Sequence, residues 1–120
     1  MAGMQWCRLQ VDVDCRLRRG AWYRVTRLAS LEAILDLNGK ALSVPHYLVE
    51  VVSRPPRRWT VVPRPKHARG IPKNWGPYYA VCPSCRERAA LRSGQPRKMA
   101  CQRCKQEFEV AWDEEYLADS

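Results

Sequence analysis

Apolar and polar residues alternate along the first part of the chain. Between Cys7 and Leu17 every odd position is apolar and every even position is polar. A hydrophobic period of two is typical of a β-strand with one buried face, so the alternation predicts a strand over residues 5–17. Further runs rich in strand-forming residues follow at 21–28, 32–44, 47–52 and 58–63. The pattern therefore predicts a series of short strands in the N-terminal half.

Turn residues separate these strands. Asn38-Gly39 lies between two apolar runs, which is the strongest short signal for a hairpin, and Pro55-Pro56 marks another turn. Short strands with tight turns and no helix-length amphipathic run predict a mainly β fold, with a small SH3-like or OB-like barrel over residues 1–63. The strand spacing resembles that of SH3-like and Tudor-like barrels. An open meander packed on the rest of the chain is the alternative.

The composition changes after residue 53. Between Arg54 and Lys73 there are seven basic residues, several prolines and no acid. Proline keeps a chain extended, so the part of this stretch after Val62 is predicted to be a semi-rigid connector that contributes no core. The sequence thus divides into a barrel (1–63), a basic connector (64–77), a cysteine-rich module (78–112) and an acidic tail (113–120).

Four cysteines form two Cys-x-x-Cys pairs, Cys82/Cys85 and Cys101/Cys104, with fifteen residues between the pairs. Each pair presents two sulfurs from one tight loop, and zinc takes four thiolates tetrahedrally. The spacing therefore predicts one structural Zn²⁺ with a closed shell of four cysteines. A rubredoxin-type iron site, a thioredoxin-like redox pair and two disulfides are the alternatives.

Residues 78–112 resemble the zinc-ribbon group, in which each cysteine pair sits on a turn called a knuckle. Pro83 in "CPSC" is common in such knuckles, the strand-like "YYAV" enters the first one, and "FEVAW" leaves the second. The resemblance implies a metal-stapled hairpin module and specifies no activity. Many ribbons have glycine just after a knuckle, whereas this chain has Arg86 and Lys105.

The remaining cysteines and histidines do not predict a second metal site. Cys7 and Cys15 would lie about 26 Å apart on one extended strand, so we expect both to be small core residues. His46 and His67 are isolated from the cysteine pairs. We expect His46 to belong to a turn and His67 to face solvent or phosphate.

The chain is strongly basic, with 21 Lys and Arg against 12 Asp and Glu. Residues 113–120 hold four of these acids and no base, so residues 1–112 carry 21 basic and eight acidic residues, a formal charge of +13. Such a surface favours a polyanion, and aromatic residues beside cations suit unpaired bases. We expect the acidic tail to be a solvated end; the alternatives are that it pairs with the protein's own basic face or docks a partner through Tyr116 and Leu117. The candidate nucleic-acid-binding residues are Arg57, Arg58, Arg64, Lys66, Arg69, Lys73, Trp75, Arg86, Arg97, Lys98 and Arg103.

These features predict a non-catalytic zinc-ribbon adaptor that binds RNA or DNA within a transcription, translation or other nucleoprotein complex. The alternative is a protein-interaction module without nucleic-acid contact. The sequence shows no nucleophile paired with a base, no carboxylate pair and no phosphate loop. We therefore do not predict an enzyme. The N-terminus lacks a basic start followed by an apolar run, and no stretch reaches about eighteen apolar residues, so we expect a cytoplasmic protein without a membrane partner.

Overall fold

The computed structural model describes residues 3–66, 69–91 and 94–117. Two five-stranded sheets and two single-turn 3₁₀ helices, His46–Leu48 and Lys73–Trp75, form the fold, which confirms the mainly β prediction. The strands are β1 (Gln5–Leu9), β2 (Tyr23–Leu28), β3 (Glu32–Leu37), β4 (Lys40–Pro45), β5 (Val49–Val52), β6 (Arg58–Pro63), β7 (Tyr78–Val81), β8 (Arg88–Ala90), β9 (Lys98–Ala100) and β10 (Glu107–Val110). Within the described part of the chain, no helix is long and apolar enough to cross a membrane.

The first sheet has the strand order β4-β3-β2-β1-β5, and all its neighbours are antiparallel. The predicted hairpin joins β3 to β4. Asn38 and Gly39 both have positive φ, 54° and 86°, as a two-residue turn with the twist of a hairpin requires. The Gly39 N–H donates to the Asp36 carboxylate at 2.7 Å, which holds the turn closed.

Strand β1 is shorter than its hydrophobic pattern predicts. It ends at Leu9 because its partner strands end there: β5 begins opposite Leu9 and β2 begins opposite Cys7. Cys7 is fully buried in the core, but Cys15 lies beyond the strand and is exposed. The prediction of a strand through residue 17, with Cys15 in the core, is therefore wrong.

The second sheet has the order β8-β7-β6-β10-β9, with β6 and β10 parallel and the other neighbours antiparallel. Strand β6, which the sequence grouped with the barrel, pairs with β7 and β10 here. The proposed domain boundaries stay a prediction. The hydrogen bonding shows that the segment 58–63 joins the strands around the cysteine pairs.

Strands β6 and β7 separate two hydrophobic cores. Along β7, Tyr79 and Val81 pack into the larger core with the first sheet, whereas Ala80, and Cys82 directly after the strand, pack into a smaller core near the cysteines. On β6, Trp59 belongs to the smaller core and Val62 to the larger one. The period of two along these strands thus places the cysteine cluster and the first sheet on opposite faces of one layer.

The basic connector contributes to the core, contrary to expectation. Ile71 is buried and Trp75 packs against the larger core. Arg64 folds the segment back on itself, since its guanidinium donates to the carbonyls of Gly76 at 2.8 Å and Ile71 at 3.3 Å. Proline extends the backbone here, but one arginine and one apolar anchor dock it. His67 lies outside the described residues.

The acidic end is also docked as far as residue 117, so the expectation of a solvated end is wrong for this stretch. Tyr116 is buried, its hydroxyl donates to the Leu9 carbonyl, and it accepts from the Gly20 N–H at 3.0 Å. Burial raises the pKa of this phenol, which keeps it a neutral donor. Residues 113–117 therefore form part of the folded body.

Arg8 is the buried centre of this docking. Its guanidinium lies between the rings of Trp22 and Tyr116, 4.4 Å from each ring centroid. It donates to Glu50 at 2.6 Å and to Glu114 at 2.8 and 3.2 Å. A buried cation is stable only when its charge and its N–H groups are satisfied, and these partners do both.

Candidate metal centre

The four predicted cysteines meet at one point. All their sulfur atoms lie within 4.8 Å of one another, with Cys82 Sγ 3.7 Å from Cys104 Sγ and Cys85 Sγ 3.5 Å from Cys101 Sγ. A tetrahedral metal with sulfur bonds of about 2.3 Å requires sulfur-to-sulfur distances of about 3.8 Å. The cluster therefore fits a single metal ion.

Two loops with the same backbone geometry carry the cysteines. In the first, the Cys82 N–H donates to the Glu87 carbonyl at 2.8 Å and the Arg86 N–H donates to the Cys82 carbonyl at 3.1 Å. In the second, the Cys101 N–H donates to the Gln106 carbonyl at 2.8 Å and the Lys105 N–H donates to the Cys101 carbonyl at 2.9 Å. This repeat is consistent with the pair of knuckles that the resemblance to zinc ribbons implies.

The residues after the knuckles occupy left-handed backbone. Arg86 has φ of 67° and Lys105 has φ of 65°, a conformation that glycine adopts without steric cost. For each non-glycine residue the cost is about 1 kcal/mol. The departure from the ribbon pattern at these positions therefore changes the residue type and leaves the loop shape intact.

Arg86 has contacts that offset its backbone strain. Its guanidinium lies 4.9 Å from the Tyr23 ring centroid and donates to the Trp22 carbonyl at 3.4 Å and to Asn38 Oδ1 at 3.2 Å. Glycine would make none of these contacts. The side chain thus ties the first knuckle to the first sheet.

The thiols of the cluster differ in their environment. Burial raises the pKa of Cys82 well above its ordinary value. Burial acts on Cys101 in the same direction, but the backbone N–H groups of Cys104 and Arg103 donate to its sulfur and bring its pKa down to about 7. Buried sulfur beside inward-pointing amides suits a cation that replaces the protons.

The other candidate ligands lie away from this cluster. Cys7 is buried in the larger core, where burial raises its pKa to about 12, so it stays a thiol. Cys15 is exposed. Nδ1 of His46 is 2.9 Å from the Ala29 carbonyl oxygen, which places His46 in the turn chemistry that the sequence predicts.

The structure separates the candidate nucleic-acid-binding residues into two sets. Members of the first are exposed, and none forms an ion pair within the described residues: Arg57, Lys66, Arg69, Lys73, Arg97, Lys98 and Arg103. The others have internal partners. Arg58 pairs with Asp113, Arg64 binds connector carbonyls, Arg86 binds the first sheet, and Trp75 is half-buried against the core.

The candidate cations, from both sets, do not form one cluster. Arg57, Arg58 and Lys98 line one concavity, and Arg86 and Arg103 line another. Two residues absent from the sequence-based candidates, Arg16 and Arg18, share the second concavity. The basic run "RLRR" at 16–19 is the signal that points to them.

Comparison with protein-family models, with curated proteins and with solved structures found no match to this chain. Its class therefore follows from its own fold and site. It is a mainly β protein with two sheets and a tetracysteine cluster that fits one metal ion.

Proposed function

We propose that the protein is a non-catalytic zinc-ribbon adaptor, in which Cys82, Cys85, Cys101 and Cys104 hold one structural Zn²⁺ and the surface binds the phosphate backbone of RNA or DNA in a nucleoprotein complex. The observation that carries this proposal is the set of seven exposed cations without carboxylate partners, beside a cysteine cluster that fits one metal. The metal gives the surface its shape and takes no part in a reaction.

The chemistry of the ligands supports zinc in a structural role. Four thiolates complete a tetrahedral shell, which leaves no coordination position for water. Iron in a rubredoxin-type site uses the same ligands, but ferric thiolate absorbs visible light and zinc thiolate does not. Metal content together with an absorption spectrum therefore tests this part of the proposal.

The charge distribution supports phosphate as the ligand. Exposed like charges repel one another, and each phosphate contact relieves that repulsion and releases counterions from the nucleic acid. Lys66, Arg69 and Lys73 lie on the connector, while Arg97 and Lys98 lie near the second knuckle. A chain of phosphates provides partners for several separated cations at once.

One concavity combines cations with aromatic rings. Arg57, Arg58 and Lys98 line an open cavity of about 820 Å³ together with Trp6, Phe108 and two carboxylates, Glu107 and Glu109, so that the lining carries a net charge of +1. Aromatic faces stack on unpaired bases, and adjacent cations contact the flanking phosphates. Trp6 and Phe108 are half-buried, so their exposed parts are available to a single strand.

Salt-dependent binding tests the proposal. Fluorescence anisotropy with a labelled 20-nucleotide single strand should show affinity that falls steeply with salt, by about 0.7 in log–log slope per phosphate contact. The double variant Arg57→Gln/Lys98→Gln should lower the slope by about 1.4. Arg24→Gln/Arg27→Gln removes the same charge from exposed positions on β2 and serves as the control. Absence of binding at low salt overturns the proposal.

A second candidate function, a protein-interaction module, rests on two exposed apolar side chains. Leu31 is 84% exposed and Tyr47 is 72% exposed. They lie at one end of the first sheet, where the His46 N–H donates to the Leu31 carbonyl at 3.0 Å. Large exposed apolar residues favour a protein partner. A protein that co-purifies with the native chain after nuclease treatment, but not with the variant Leu31→Asp, would support this candidate.

A further inference from the structure

Four arginines surround one cavity at the junction of the first sheet and the two knuckles. Arg16 and Arg18 come from the segment after β1, Arg86 follows the first knuckle, and Arg103 lies inside the second. The cavity has a volume of about 490 Å³, and no carboxylate lines it among the residues that the structure describes. Segments far apart in the sequence thus converge to form one strongly positive concavity.

Two of these arginines are held in place. Arg18 Nη1 donates to the Arg86 carbonyl at 2.8 Å, and the Arg86 guanidinium packs over Tyr23 and donates to Asn38 Oδ1 at 3.2 Å. A guanidinium has five N–H donors, so these bonds leave others free for a ligand. An arginine that is already fixed loses little conformational freedom when it binds an anion.

The metal centre alone does not account for this charge. Cys85 lines the same cavity, and four thiolates with a divalent metal carry a net charge of −2. The four guanidinium groups carry twice that charge with the opposite sign. An excess of positive charge therefore remains in the cavity, and an external anion is the species that would neutralise it.

We infer that this cavity binds a phosphate group, in the form of a backbone phosphodiester of a nucleic acid. The inference deepens the proposed function and rests on it, because it assigns one phosphate contact to a defined site. Arginine forms paired hydrogen bonds to phosphate oxygens, and Arg16 and Arg103 are exposed and reach the same space as the fixed pair. Free phosphate offers the same oxygens, so the experiment has to separate the two sources.

The test uses the full chain with Arg16→Gln/Arg18→Gln, which replaces no residue of either knuckle but removes the hydrogen bond from Arg18 to the Arg86 carbonyl. Affinity for a labelled 20-nucleotide single strand at about 0.1 M salt should fall about tenfold, and the salt slope should fall by about 1.4. Arg24→Gln/Arg27→Gln is the matched control and should change affinity no more than about twofold. Both variants should keep the metal content of the native protein.

A second arm titrates inorganic phosphate and follows the arginine Nε–H signals by NMR. If the variant loses nucleic-acid affinity and the native protein shows no saturable binding of inorganic phosphate, the result supports the phosphodiester as the ligand. Saturable phosphate binding with unchanged nucleic-acid affinity in the variant overturns the inference in favour of free phosphate. Loss of metal from the variant also overturns it, because the arginines would then serve the metal centre.

The two proposals fail in different ways. If the native protein binds nucleic acid and Arg16→Gln/Arg18→Gln behaves like its control, the cavity is not the phosphate site and the proposed function stands. If the native protein binds no nucleic acid at low salt, the proposed function fails. The phosphodiester assignment then fails with it, whatever inorganic phosphate does.

Discussion

The two cores on opposite faces of the β6–β7 layer are built differently. Among the residues that the structure describes, the core against the first sheet contains fifteen buried residues, mostly aliphatic and aromatic. The core on the other face contains five, of which Cys82 and Cys101 are two of the four clustered cysteines. A small core supplies little burial energy, and metal binding supplies folding energy where burial is short. The comparison teaches that apolar packing holds one face, and it leads us to propose that a metal held by the cysteines stabilises the other.

Replacement of one buried cysteine should have the largest effect on stability, and it should act on the second sheet before the first. Cys101→Ser should abolish metal binding and remove about 5 kcal/mol or more of stability, because metal binding in such modules is folding energy. Hydrogen exchange should show protection lost from β8 to β10 first and from β2 to β4 last. Cys15→Ser, at an exposed thiol outside the cluster, is the control. Equal exchange rates in the two sheets would contradict the division.

The close contact between Gly20, which precedes β2, and Val62 on β6 should be the next most sensitive to substitution. A Cβ on Gly20 would lie 2.4 Å from Val62 Cγ2, and Gly20 has φ of +81°. Gly20→Ala should therefore cost about 2–4 kcal/mol in unfolding free energy from overpacking and backbone strain. Gly39 has φ of +86° with open space around it.

Gly39→Ala isolates the backbone part of this cost and should cost about 1 kcal/mol. Denaturant unfolding of both variants measures the difference. Equal losses would mean that the close approach of Gly20 to Val62 contributes nothing.

Arg8 tests whether the face against the first sheet is held by apolar packing alone, because this buried residue stabilises it through charge. Arg8→Gln leaves Glu50 and Glu114 without their cation and should cost about 2–3 kcal/mol. That value is below the full range for buried pairs because these carboxylates are 35% and 31% exposed. Arg19→Gln, which breaks the exposed pair with Asp12, should cost less than about 1 kcal/mol. Thermal unfolding that is unchanged by Arg8→Gln would contradict the role of this cluster.

Local sequence signals predicted the elements that depend on neighbouring residues. The Asn38-Gly39 turn, strand β6 and strand β7 lie where hairpin and strand patterns place them. The cysteine spacing likewise predicted the cluster, because each Cys-x-x-Cys loop fixes its own geometry. The turn and each cysteine loop depend on contacts within a few residues, and only the meeting of the two loops spans 16 to 22 positions.

The features that the sequence did not reveal depend on distant partners. Arg8 meets Glu114 across 106 positions, and no local pattern marks Arg8 as buried or the two residues as a pair. β1 ends at Leu9 because its partner strands end, although its alternation continues. The basic connector and the acidic C-terminal segment have compositions that predict solvated chain. Buried Ile71 docks the connector, and buried Tyr116 docks the acidic segment.

The central claim is that four cysteines hold one zinc ion that maintains the second sheet. Native mass spectrometry of the purified protein, with an absorption spectrum of the same sample, tests it most directly. We expect one zinc per chain, no visible absorption, and loss of the ion with unfolding of the second sheet when a chelator is added. A protein without metal, a coloured iron centre, or a second sheet that survives chelation would contradict the account.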